Sequence, residues 1–168
     1  FCSGSETTFS VNSNQVFENI EWDFGDGVGS SNVENPSYIY ESPGEYTVSA
    51  TITIGTETNV FTEIIQINQN PTANAVEDLF ECDDNNDGVL SFDFVESQNQ
   101  VLGTQDPTAF SVTFHSSQED ADNNANNLTI PYSNTNTTEQ IFVRIENNAN
   151  TTCFDTTSFN LNVFDTPV

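Results

Sequence analysis

The chain has 168 residues, with 26 Asp and Glu against a single Lys or Arg, and a formal charge of −25. Nucleic acid and anionic lipid are excluded as partners, because both are bound through Lys and Arg that neutralise phosphate. No apolar run is long enough for a membrane-spanning helix, so no membrane insertion is expected. Fourteen Phe and 35% hydrophobic residues supply a core of aromatics and β-branched side chains. No charged n-region followed by an apolar stretch opens the sequence, which therefore reads as a mature product or a piece of a longer chain. Self-repulsion at this charge opposes compaction, and divalent cations are its efficient counterweight.

Short alternating runs at 6–11, 18–24 and 37–40 predict strands. The clearest strand is 45–54, where Val48, Ala50, Ile52 and Ile54 face one way and Thr47, Ser49, Thr51 and Thr53 the other. Residues 59–67 predict another. Asp26-Gly27 and Pro43-Gly44 carry the chemistry of tight turns. Residues 68–75 are aperiodic, include Pro71, and read as a linker. Beyond them, 89–94, 108–115, 127–132, 139–146 and 156–164 alternate again, with Phe159, Leu161 and Val163 on one face. Two short helices are predicted: 94–103, stopped by Gly103, and 116–126, opened by Ser and acidic residues. The fold expected is all-β, two Ig-like antiparallel β-sandwich domains in tandem, 1–67 and 76–168, joined by 68–75.

Of Cys2, Cys82 and Cys153, one is left over if two pair. A Cys82–Cys153 bridge would close a long loop and stabilise by roughly 4 kcal/mol in the chain-entropy model. Three reduced thiols are the alternative. With Cys82 and Cys153 paired, Cys2 would find its partner outside this segment.

Trp22 to Gly27 (W-D-F-G-D-G), then Asn35, Pro36 and Tyr40, then Pro43, Gly44, Tyr46 and Val48 resemble the PKD domain, an Ig-like module, over most of residues 1–67. Tyr38 stands where that pattern has His. The resemblance implies that Trp22 fills the core and that Asp23 and Asp26 satisfy the following turn rather than form a catalytic pair. PKD domains begin with a further apolar strand for which this sequence leaves little room before residue 6. The uncovered edge invites strand addition by a neighbour or an identical subunit.

C-D-D-N-N-D-G at 82–88, D-P-T and V-T-F-H between 106 and 115, and V-R-I-E-N at 143–147 with Cys153 together resemble, over residues 71–166, repeat modules of large Bacteroidetes surface proteins exported by type IX secretion. The resemblance implies an outer-surface, extracellular location, no enzymatic activity and the pairing of Cys82 with Cys153. Within it, Asp83, Asn85 and Asp87 fall at alternate positions before Gly88, the opening of an EF-hand-type calcium loop. The Val89 carbonyl would be the next Ca²⁺ ligand. The closing position holds Phe94, with Asp93 one residue earlier as the nearest carboxylate. An Asx-rich turn is the plain alternative.

His115, the one histidine, has no Cys or His spaced for zinc and reads as structural. Asp155-Thr156-Thr157 matches a short O-glycosylation motif, with Thr156 the acceptor. N-sequons at Asn127, Asn136 and Asn150 fit chance in Asn/Thr-rich loops. No nucleophile elbow, phosphate loop or lysine is present. The expected function is a non-enzymatic structural or adhesive module of a bacterial surface adhesin or filament, stabilised by calcium. Its partners would be neighbouring modules, identical subunits or surface polysaccharide. The rival is a carbohydrate-binding or spacer module of a secreted polysaccharide-degrading enzyme, which an exposed aromatic platform would favour.

Overall fold

The computed structural model describes residues 1–12 and 16–167. They form two compact units, Phe1–Gln69 and Asn70–Val168. The first contains β1 (Glu6–Thr8), β2 (Asn19–Asp23), β3 (Ser30–Ser31), β4 (Ser37–Ile39), β5 (Gly44–Ile54) and β6 (Glu57–Ile67). Strands β3-β2-β5-β6 make one antiparallel sheet and β1-β4 the other. Alternation in β5 works as expected: Val48, Ala50 and Ile52 are buried against Ile20, Trp22, Phe24, Tyr40, Ile65 and Ile67. A side chain the size of Val48 or Ile52 contributes about 1.5–3 kcal/mol when taken from water. Gly55, at φ 59°, turns β5 directly into β6, so that Ile54 pairs with Glu57. The expected strand at 6–11 pairs only over Glu6–Thr8, and its sheet is correspondingly small. Edge strand β6 is therefore covered only at its end, with Ile65 and Ile67 buried and the rest exposed.

The second unit contains β7 (Leu79–Asp83), β8 (Ser91–Phe92), α1 (Val95–Leu102), β9 (Phe110–His115), α2 (Gln118–Asn123), β10 (Tyr132–Ser133), β11 (Thr138–Asn147) and β12 (Asn150–Asp165). Its sheets are β7-β12-β11-β9 and β10-β8. The larger is antiparallel except for β7, which runs parallel to β12. Phe92, Phe94, Phe114, Ile141, Val143, Ile145, Phe159 and Leu161 lead its core. The fold is all-β, as the patterning predicts.

Three details differ from expectation. Strand β7 escapes the period-2 reading because, at a sheet edge, Phe80, Glu81 and Cys82 are all exposed. The run at 127–132 joins a ladder only at Tyr132, since Pro131 has no N–H to donate. The stretch read as a linker is held at both ends. The Ser3 N–H donates to the Asn68 carbonyl in the first unit, while the Thr72 and Ala73 N–H groups donate to Gln105 and Asp155 in the second. Both helices form where capping predicts them: α1 stops at Gly103 (φ 57°), and the Ser117 hydroxyl accepts from the Asp120 N–H at the start of α2.

Candidate functional site

In the W-D-F-G-D-G turn both carboxylates accept backbone hydrogen bonds. Asp23 accepts from the Gly25 N–H at 2.8 Å. Asp26 accepts from the Val28 and Gly29 N–H groups at 3.0 and 2.8 Å and from the Tyr38 hydroxyl at 2.5 Å. The Tyr38 hydroxyl first, and then these amides, hold the Asp26 carboxyl below its ordinary value. The same bond pushes the Tyr38 phenol up. Gly29 is required beneath it, because a Cβ there would lie 2.4 Å from the Tyr38 ring. Tyr38 also stacks on Phe24 at 4.2 Å. The turn reading of Asp23 and Asp26 holds, and Trp22 is buried in the core.

At the acidic loop, β7 delivers Asp83 into a buried position, 2% exposed. Its carboxylate accepts from the Asn85 N–H at 3.1 Å and the Gly88 N–H at 2.6 Å. Asn85 Oδ1 accepts from the Asp87 N–H, and Asp87 Oδ1 from the Val89 N–H. Asn86 and Gly88 take the left-handed φ values of 57° and 76° that this winding needs. Thr166 pins the loop through Asn86 and Asp84. Asn134, 3% exposed, donates to the Gly88 carbonyl. Asp93 lies apart in role, accepting from the Val95 N–H at the start of α1. Among the described residues no three or more His, Cys, Asp or Glu side chains gather as a metal cluster. The geometry thus winds Asp83, Asn85 and Asp87 around one turn by Asx bonds, and Asp93 is occupied at the helix.

The cysteines correct the expected pairing. Cys82 is a free, exposed thiol, whereas Cys2 and Cys153 are disulfide-bonded; the bond joins Cys2 to Cys153. The reason is register. Cys82 lies opposite Phe164, at the other end of β12 from Cys153, roughly 35 Å away at ~3.3 Å per residue. A disulfide requires Cα atoms about 6 Å apart. Sequence order alone, with two cysteines in one half, points to the wrong pair.

His115, Thr156 and the one arginine all hydrogen-bond within the second unit. His115 is buried, with Nδ1 against the Ala125 carbonyl at 2.8 Å and Nε2 against the Thr113 hydroxyl at 2.9 Å. Thr156 lies within β12, half-buried, and its hydroxyl accepts from Gln118. Arg144 is buried at 4% exposure. Its Nε donates to Glu146 at 2.7 Å, and its other nitrogens donate to the carbonyls of Ala121, Asp122 and Thr151. Its guanidinium lies 3.6 Å from the Phe154 ring centroid.

Two surface features were not foreseen. Phe80 and Phe164 are exposed, and their rings are parallel within 8° at a centroid distance of 6.4 Å. The signal was present: with Phe159, Leu161 and Val163 inward, Phe164 must face outward. In the first unit a groove of about 320 Å³ runs beside β6, lined by Phe9, Val11, Trp22, Val48, Phe61 and Ile65.

Residues 1–69 match the PKD domain family, and residues 78–167 match the family described as the Flavobacterium inter-domain disulphide bond domain. No curated protein matches the chain. A solved structure titled for carbohydrate-binding modules of the β-sandwich superfamily is similar at 18% identity and a TM-score of 0.38, covering 86% of this chain and 48% of that one. The cross-unit cysteine bond and the match over more than half the sequence agree: the chain belongs to the Flavobacterium inter-domain disulphide bond domain family, with a PKD domain preceding that domain.

Proposed function

We propose that the chain is a non-enzymatic structural and adhesive module of an extracellular bacterial surface protein or filament, exported by type IX secretion. The observation that carries this reading is the Cys2–Cys153 disulfide, a bond that persists in oxidising surroundings outside the cytoplasm. It makes one covalent body of the two units.

Calcium belongs to this reading as the counter-ion of a −25 chain. Asp83, Asn85, Asp87 and the Val89 carbonyl would hold it, because a carboxylate oxygen that accepts one backbone N–H retains a lone pair for a hard cation. Asp93, whose Oδ1 accepts from the Val95 N–H, would close the set through its other oxygen. Strand addition belongs to it through β6, an 11-residue sheet edge that exposes Val60, Phe61 and Ile64. Screening by calcium is what would let two such acidic chains approach.

Sedimentation velocity on the purified chain, first with calcium and then with chelator, tests this. The expected result is larger species under calcium that disperse on chelation and do not form for Ile64→Lys. A monomer under both conditions would leave a passive spacer.

A second reading, a glycan-binding module of a secreted polysaccharide-degrading system, is favoured by the exposed Phe80–Phe164 pair.

A further inference from the structure

We propose that the outer face of the β7–β12 edge in the second unit binds a neutral polysaccharide, with Phe80 and Phe164 as its aromatic contacts. The proposal deepens the glycan-binding reading and leaves the structural one untouched.

The strand register builds this face. β12 alternates, with Leu161 and Val163 buried and Asn160, Asn162 and Phe164 on the opposite face. Parallel pairing sets Phe80 beside Asn162 and Cys82 beside Phe164, and antiparallel pairing sets Gln140 beside Asn160. The two phenyl rings are 64% and 54% exposed, yet parallel within 8°. Single exposed apolar residues are ordinary, but here two aromatic side chains stand together among polar neighbours.

The polar neighbours are oriented. Asn160 donates its amide to both oxygens of Asp78 at 3.1 Å. Asn162 donates to the Leu79 carbonyl at 3.4 Å, and Gln140 to the Ser158 hydroxyl at 3.0 Å. In all three the amide hydrogens are turned into the protein. The amide oxygens accept no hydrogen bond among the described residues. An exposed aromatic pair flanked by amide acceptors suits a pyranose, which presents C–H groups on its ring face and hydroxyl donors around its rim.

Charge and area select this occupant over others. A −25 chain whose one Arg is buried repels anionic glycans and nucleic acid. Two phenyl rings alone fall far short of the roughly 1,200 Å² that a specific protein interface, one with a second copy included, buries.

The test is affinity electrophoresis of the full chain through gels containing hydroxyethylcellulose, laminarin or galactomannan. The expected result is retardation by at least one polymer, weakened roughly tenfold or more in Phe80→Ala/Phe164→Ala. Both side chains are more than half exposed, so the double variant is expected to fold, as Trp22 fluorescence and circular dichroism would verify. Cys82 gives a second readout, since its labelling by a maleimide should slow when the retarding polymer is present. No retardation by any of the three polymers, or retardation unchanged in the double variant, overturns the proposal. So does a sedimentation coefficient that differs between wild type and double variant without glycan, which would assign the rings to self-association.

Discussion

Tyr38 shows how a departure from a family pattern can be absorbed by one hydrogen bond. A phenol in place of imidazole reaches Asp26 across Gly29 and stacks on Phe24. Because the folded-state pKa of Asp26 is depressed, its stabilising effect is full above the ordinary carboxylate value and is lost as pH falls through the lower folded value. Tyr38→Phe keeps the ring and removes the bond, at a cost of about 1–2 kcal/mol near neutrality. The gap from wild type should close once Asp26 is protonated. Urea titrations at neutral and strongly acidic pH, followed through the single tryptophan in the first unit, measure both values. The roles of Asp23 and Asp26 could be read from sequence because an Asx turn is made within a few residues. The cysteine pairing could not, because it depends on which end of β12 lies beside β7. For the same reason the winding around Asp83 was legible, whereas the bond that Asp93 accepts from the Val95 N–H was not.

At the scale of elements, β5 and the inward face of β12 follow directly from alternation, since each has one wet and one dry side. β7 does not, because an edge strand with three successive exposed residues carries no period. α2 is a case where a distant residue completes a local element. Six residues make a marginal helix alone, and no basic residue occupies its last turn. Arg144, from β11, reaches its final carbonyls instead and pairs with Glu146 on its own strand. Arg144→Met should cost about 3–5 kcal/mol, because Glu146 remains buried with only the Asn124 amide as partner. Arg144→Met combined with Glu146→Leu should recover part of that loss. Denaturant midpoints of the second unit for the single and double variants decide this, and equal losses in both would count against an electrostatic origin.

For the whole molecule, the decisive bond joins distant parts of the chain, and the entire first sandwich lies inside the loop that Cys2 and Cys153 close. When that sandwich unfolds, its roughly 70 residues stay tied at both ends, a restraint of about 4 kcal/mol in the chain-entropy model. Reduction should therefore lower the urea midpoint reported by Trp22 and barely move that of the second unit. Cys2→Ser should reproduce the shift without reductant. Equal shifts in both units would indicate that the bond supports the pair as one cooperative body. The same connectivity governs how the molecule would carry a pull. Tension applied at Phe1 and at the far end of β12 enters through Cys2, crosses one sulfur–sulfur bond and leaves along Cys153 to Asp165. The first sandwich and strands β7 to β11 hang outside that line as slack. Under load the module would behave as a short inextensible link, and it would surrender its hidden length only after reduction.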